Sequence, residues 1–101
     1  MPDEPNEVKL EVSLPEVEAG GTYANLVAVW HSTDEFTLDF IAMGMSRVEG
    51  STTVIPGVVT SRVRVPVSVI FKIAKAIAEN VDQYEKKFGP ITPPAPRENQ
   101  L

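Results

Sequence analysis

The chain has no cysteine among its 101 residues, and this absence excludes several classes of protein. Disulfide bridges, thiolate zinc sites and thiol nucleophiles all require that side chain. Histidine also occurs only once, so a paired-histidine metal motif is excluded as well. What remains for metal binding or acid–base chemistry is His31 with the nearby carboxylates of Asp34, Glu35 and Asp39.

Long apolar runs and phosphate-binding glycine motifs are missing too. No segment approaches the roughly 20 apolar residues that a membrane helix needs, and neither a phosphate-binding glycine loop nor a G-x-S-x-G motif occurs. The first ten residues, MPDEPNEVKL, are acidic where a signal peptide is basic. We therefore expect a cytoplasmic protein that has no membrane partner, no cofactor, no bound metal and no catalytic residues.

The length and net charge of the chain further restrict its possible fold and partners. A chain of this size forms one small domain, which buries only about 60 to 65 per cent of its unfolded surface, so self-association would add stability. Asp and Glu number 14 against 9 Lys and Arg, which gives a net charge of −5. That charge repels a phosphate backbone and argues against nucleic acid as a partner.

Alternating apolar residues predict four strands. Residues 8–14 place Val8, Leu10, Val12 and Leu14 on one side, as in a half-buried strand. Residues 23–31 and 36–43 are rich in aromatic and aliphatic residues, and Ser32 to Glu35 suit a four-residue hairpin loop. Pairing His31 with Phe36 fixes the register of this hairpin.

The predicted register gives the hairpin two different faces. One is apolar and contains Val27, Val29, Leu38 and Phe40. The other pairs Trp30 with Thr37, Ala28 with Asp39 and Leu26 with Ile41, and it is too apolar for a fully solvated face. We therefore predict an interface with another copy or another protein at four residues: Leu26, Trp30, Ile41 and Met43. The alternative is that the chain's own loop or N-terminal arm covers this face.

The remaining chain predicts a long connection, a last strand and a helix. Residues 44–57 form the connection, with a short extended piece at 52–55. In residues 58–65 Val59, Ser61, Val63 and Val65 share one side, while Thr60, Arg62 and Arg64 share the other, where Asp39 could meet an arginine. After Pro66 an apolar stripe with helical spacing runs to Phe88, and Gly89 and Pro90 end the helix. Its members are Ile70, Ile73, Ala74, Ile77, Val81, Tyr84 and Phe88.

These elements predict an α+β fold, a four-stranded antiparallel meander followed by one long C-terminal helix packed on the sheet. We expect residues 1–7 to be disordered and acidic, residues 8–89 to form the single domain, and residues 90–101 to form a flexible proline-rich tail.

Two chemical hypotheses compete with simpler structural ones. A metal at His31 needs converging ligands, yet the register scatters the nearby acids, so a histidine that packs on Phe36 or caps the turn is favoured. TSRVRVPVSVIFKIAKAIAEN looks like the strand-then-helix opening of ribbon-helix-helix repressors, in which strand side chains enter the major groove. Arg62 and Arg64 would then contact DNA, but the second helix of that family is missing here.

The placed elements resemble a family of short bacterial and archaeal proteins without a characterised function. YANLVAVWHSTDEFTLDF in the hairpin and NVDQYEKKFG at the helix end carry this resemblance, which covers most of residues 8–89. The chain departs from the family pattern at Thr33 and Val65, where proline and serine would be expected. A weaker resemblance in fold links it to SecB-type export chaperones, which also place a helix after a four-stranded sheet and form oligomers.

The sequence therefore predicts a non-enzymatic, cytoplasmic domain that forms a homodimer or higher oligomer and binds another protein, as an adaptor or chaperone does. The connection at residues 44–57 would supply adaptability. The alternative is a DNA-binding regulator that uses Arg62 and Arg64.

Overall fold

The computed structural model describes residues 7–92, so residues 1–6 and the end of the predicted proline-rich tail lie outside the described residues. Its elements are β1 (Leu26–His31), β2 (Glu35–Met43), β3 (Arg47–Glu49), β4 (Thr52–Val54), β5 (Gly57–Pro66) and α1 (Ile70–Phe88). Three strands form an antiparallel sheet in the order β1-β2-β5, and β3 and β4 form a separate hairpin. The α+β class with a C-terminal helix is confirmed.

The predicted β1–β2 register is confirmed at every pair, from His31 opposite Phe36 to Leu26 opposite Ile41. The loop explains why, because Ser32 ties both of its ends together. The Ser32 amide donates to the Glu35 carbonyl oxygen at 2.9 Å. Its hydroxyl accepts from the amides of Asp34 and Glu35, each at 3.2 Å. Because both ends of the loop are fixed, β1 and β2 can pair in only one register.

A β-bulge in β5 changes one predicted face. The pairing of β5 with β2 shifts between Phe40 and Ile41, so Thr60 becomes the additional residue. Its hydroxyl lies 3.1 Å from the Phe40 carbonyl oxygen and 3.2 Å from that of Tyr23, and it can donate to either. Val59 consequently stands opposite Ile41, on the opposite face from the one that unbroken alternation predicts.

The sheet has one apolar face and one mixed face. We call the first the valine face; its members are Val27, Val29, His31, Phe36, Leu38, Phe40, Ala42, Val58, Ser61, Val63 and Val65. We call the second the tryptophan face; its members are Leu26, Ala28, Trp30, Glu35, Thr37, Asp39, Ile41, Met43, Val59, Arg62 and Arg64. This division follows from the alternation of side chains across a strand.

Residues 8–14 differ from the prediction of a fourth strand in the sheet. In the described chain they have no hydrogen-bonded secondary structure, and Val8, Leu10, Val12 and Leu14 are all exposed. The alternation is present but no strand within the described residues pairs with it. Strand pairing is a non-local event, so an alternating pattern cannot specify its own partner.

The connection between β2 and β5 is more ordered than predicted. The extended piece near residues 52–55 is confirmed as β4, but it pairs with β3 through the two-residue loop of Gly50 and Ser51. Gly50 has a φ of 62°, a conformation that favours glycine in tight hairpin loops. A glycine between two short β-prone segments was the available signal for this hairpin.

The helix begins and ends close to the predicted positions. A 3-10 turn at Val67–Val69 leads into α1, and Gly89 ends it with a φ of 95°. The Gly89 amide donates to the Glu85 carbonyl oxygen at 2.9 Å. However, α1 contacts mainly the preceding turn and makes few contacts with the sheet of its own chain. The predicted packing of the helix on that sheet is not found in the lone chain.

The lone chain consequently has almost no core. Among the described residues, Val65 is the one buried hydrophobic residue, and its relative exposure is still 9%. The radius of gyration is 19.3 Å, whereas a compact chain of this length has about 13 Å. Both the valine face and the apolar stripe of α1 remain largely open to solvent.

Gly57 is the glycine whose replacement should disturb the sheet most directly. A Cβ atom built there would lie 2.9 Å from Cγ2 of Ile41, and Ile41 stands on the central strand. We expect Gly57→Ala to lower stability by about 1–2 kcal/mol, the lower part of the range for overpacking.

Thermal unfolding measures this effect. Gly20→Ala is the control, because its Cβ would meet nothing within 4 Å. Equal melting temperatures for the two variants would show that Ile41 moves away at no cost.

Candidate functional site: the tryptophan face

Asp39 organises the centre of the tryptophan face. It lies on the middle strand with a relative exposure of 3%. Nε and Nη2 of Arg62 donate to its two carboxylate oxygens at 2.6 and 2.8 Å. The indole N–H of Trp30 donates to it at 2.9 Å. Three charge-assisted hydrogen bonds from two flanking strands therefore hold Trp30 and Arg62 in fixed positions.

The pKa values of this pair move apart. Hydrogen bonding to Arg62 lowers the pKa of Asp39, and the Trp30 indole and the positive charge of Arg62 act in the same direction against the effect of burial. The hydrogen bond to Asp39 raises the pKa of Arg62. Both groups therefore stay charged around neutral pH, and Asp39 is a poor proton donor or acceptor there.

The tryptophan face forms a shallow polar depression at its end near the β1–β2 loop. Glu35 and Arg64 form a second ion pair, in which Nε of Arg64 donates to Oε1 at 3.1 Å. The depression has a volume of about 400 Å³. Its lining consists of Trp30, His31, Ser32, Glu35, Thr37, Arg62 and Arg64. Trp30 is 59% exposed, so an anchored aromatic ring stands at the edge of a charged hollow.

The four predicted interface residues share this face but fall into two groups. Leu26 and Ile41 are direct cross-strand neighbours, and both are half-buried. Met43 ends the central strand opposite Gly57. Trp30 is at the other end of β1, next to Asp39. The face is therefore apolar towards the β1 start and polar around the tryptophan.

His31 lies on the valine face, opposite to Asp39. Its ring is 5.7 Å from the Phe36 ring, centroid to centroid, with a tilt of 39°. Among the described residues, no group of three His, Cys, Asp or Glu side chains could hold a metal ion. The geometry agrees with a strand-end histidine that packs on a neighbouring ring.

Arg62 and Arg64, the candidate DNA contacts, are both paired with carboxylates. Their side chains are exposed, but the charges of Asp39 and Glu35 offset theirs. The negative charges of these carboxylates repel a DNA phosphate that approaches Arg62 or Arg64.

The sequence did not reveal that Trp30 bonds to Asp39. Asp39 is directly opposite Ala28, so the indole reaches it diagonally across the strand pair. Diagonal neighbours are about 7–8 Å apart, within reach of a long aromatic side chain. The signal that could have revealed this bond is a carboxylate in the middle of a strand, with tryptophan and arginine at nearby positions of the flanking strands.

Acid titration tests the Asp39 network. The native pKa lies below the ordinary value of about 3.9, so the contribution of the ion pair to stability is complete above that value. It is lost as the pH falls through the lowered native pKa. We expect the fluorescence of Trp30 to stay constant from neutral pH to about pH 4 and to change below it.

The matched control is Asp39→Asn, whose fluorescence should lack this acid transition. A wild-type transition centred above the ordinary carboxyl pKa would contradict the assignment of the group.

Within the part of the chain that the structure describes, no helix combines the length and the apolar character needed to cross a membrane.

Comparison with known proteins identifies a family but no individual relative. Neither the curated proteins nor the solved structures include a match to the chain, so the resemblance to SecB-type chaperones stays a prediction. A family model described as protein of unknown function, DUF3467, matches residues 1–93. Because that match covers nearly the whole sequence, the chain belongs to the DUF3467 family of proteins of unknown function.

Proposed function

We propose that this protein is a non-enzymatic, cytoplasmic, homo-oligomeric domain that binds other proteins, as an adaptor or chaperone does. One observation carries the proposal. The lone chain leaves two large apolar surfaces open, the valine face and the stripe of α1, while a separate face presents an anchored tryptophan. The first two surfaces suit self-association, and the third suits a protein partner.

The accessible surface supports self-association. It amounts to 9487 Å², whereas a compact monomer of 11.0 kDa exposes about 5600 Å². The excess of one chain is larger than the area that one partner of an obligate dimer buries, which is about half of the 2,000–5,000 Å² buried in total. Residues 8–14 contribute to this excess, and so do apolar side chains of the sheet and helix.

The valine face and α1 are complementary in chemistry. Val27, Val29 and Val63 are exposed on one, and Ile77, Val81 and Tyr84 are exposed on the other. The helix is about 28 Å long, enough to cross a three-stranded sheet. An α1 that lies on the valine face of a second copy would form the two-layer core that each chain lacks.

The tryptophan face supports the binding of another protein. Tryptophan and arginine are enriched at the residues that contribute most to interfaces, and a rigid side chain loses little entropy on binding. Asp39 already fixes both Trp30 and Arg62. Leu26, Ile41 and Met43 extend the same face with apolar surface. We propose that this face takes extended apolar segments of partially unfolded chains.

DNA binding through Arg62 and Arg64 has weaker support. Both arginines are paired with carboxylates, and the net charge is −5. We therefore expect no retention of duplex DNA at moderate salt.

Calorimetry with an unfolded protein tests the proposed binding. The probe is a reduced, carboxymethylated, tryptophan-free protein, and light scattering gives the mass of each variant. We expect the wild type to bind and Trp30→Ala to lose at least tenfold in affinity, the scale of an interface anchor.

Tyr23→Ala, which removes another exposed aromatic ring, should bind within about twofold of the wild type. Absence of binding by the wild type, or equal binding by Trp30→Ala, would contradict the function. A lower mass for Trp30→Ala would instead assign this face to self-association.

A further inference from the structure

Residues 7–14, which we call the arm, have the pattern of a strand but no strand partner. Val8, Leu10, Val12 and Leu14 alternate with Lys9, Glu11 and Ser13. Within the described residues, the arm takes part in no backbone hydrogen bond with any strand. All four apolar side chains are exposed. The arm therefore combines unpaired backbone with an uncovered apolar side.

The connection between the arm and β1 contains an ordered turn. A 3-10 turn at Glu16–Glu18 is closed by backbone hydrogen bonds from Glu18 to Pro15, from Ala19 to Glu16 and from Gly21 to Glu18. Gly21 has a φ of 73°, which favours glycine. An ordered turn thus separates the arm from β1, and the arm lies outside the sheet of the described residues.

The sheet has open edges at β1 and β5. The strand order β1-β2-β5 leaves one side of each strand without a neighbour among the described residues. An open edge presents unpaired N–H and C=O groups that an added strand can satisfy. β5 spans ten residues, more than the length of the arm.

Side-chain chemistry favours the β5 edge over the β1 edge. If the apolar side of the arm continues the valine face, Glu11 and Lys9 continue the tryptophan face. Beside β5 a register that sets Glu11 next to Arg62 and Arg64 is available, and Lys9 then lies further along the same face. The Nε and Nη2 atoms of the two arginines contact Asp39 and Glu35, and neither Nη1 has an acceptor among the described residues. Beside β1 the same charges would meet apolar neighbours, including Leu26 and Ala28.

We propose that the arm of one chain adds to the β5 edge of a second copy as the fourth strand of its sheet. The valine face would continue through the arm beside Val63 and Val65, and Glu11 would pair with the arginines of the second copy. The inference rests on the proposed self-association. It identifies a segment and an edge that form part of the interface.

Isotope-filtered NMR on a mixture of labelled and unlabelled full-length chains tests the exchange. We expect interchain contacts between arm residues and β5, with slow exchange of alternate arm amides. Contacts to β5 within one chain, or a free arm in an oligomer, would overturn the inference and leave self-association intact. A folded monomer would overturn both proposals.

Charge reversal provides a second test that does not affect the sheet itself. Glu11→Arg should raise the dissociation constant of the oligomer about twofold to fivefold, as expected for an exposed ion pair. Glu16→Arg is the matched control, because it makes the same change in charge outside the arm. Equal dissociation constants for the two variants would contradict the pairing with β5.

Discussion

Ile77→Asp is expected to prevent self-association and to unfold most of the protein. In the lone chain Ile77 is 59% exposed, and a substitution at such a position usually changes stability by about 0.5 kcal/mol or less. If α1 packs on a second copy, Ile77 is buried there. The variant then loses about 1.5–3 kcal/mol of apolar burial and places a charge in an apolar contact.

A folded lone chain and an oligomer that buries α1 give opposite expectations for this substitution. Light scattering and circular dichroism on Ile77→Asp measure its mass and its folded fraction. Gln83→Asp is the control, because Gln83 is on the same helix but outside the apolar stripe. A variant of Ile77 with wild-type mass and melting temperature would contradict the burial of α1.

Val29→Asp should have an equally large effect from the sheet side. Val29 is on the edge strand β1 and is 55% exposed in the lone chain, again a position where a lone chain would tolerate aspartate. Opposite a second copy's helix it would lose its apolar contacts and leave a buried charge unpaired. We expect loss of the oligomer and a loss of at least about 3 kcal/mol in stability.

Val48→Asp makes the same chemical change on β3, an exposed strand outside the sheet. We expect it to keep the wild-type mass and to melt within a few degrees of the wild type. Similar losses in Val29→Asp and Val48→Asp would show general intolerance to charge rather than a specific interface.

Local patterns predicted the parts of the fold that short-range chemistry decides. Ser32 closes the loop between β1 and β2, so counting from His31 and Phe36 gave every pair of that hairpin. The side on which Arg62 lies followed from alternation, and its contact with Asp39 is confirmed. Gly89 ends the helix because its positive φ suits glycine.

The parts that differ depend on long-range contacts. Alternation in residues 8–14 indicates an apolar side that needs cover, but it carries no information about which edge, or which chain, supplies the neighbour. The apolar stripe of α1 likewise requires an apolar surface to pack on, but it does not specify whether the same chain or a second copy supplies that surface. The bulge at Thr60 inverted the side of Val59, because one inserted residue reverses the alternation of a strand.

The sequence predicted residues of the candidate site, but it did not predict that Asp39 organises that site. Trp30 was identified from its place on a face too apolar for water. Asp39, which holds Trp30 and Arg62 together, was considered only as a partner of His31 in metal or acid–base chemistry and as the partner of an arginine. Geometry across two strands was needed to show that one buried carboxylate positions both side chains.

The central claim is that a second copy completes the core, and the mass of the folded protein in solution tests it most directly. Sedimentation equilibrium, with circular dichroism on the same samples, should be measured across a hundredfold dilution. We predict that the folded signal accompanies a mass of at least twice 11.0 kDa and falls on dilution as the oligomer dissociates. A fully folded species of 11.0 kDa at the lowest concentration would contradict the account.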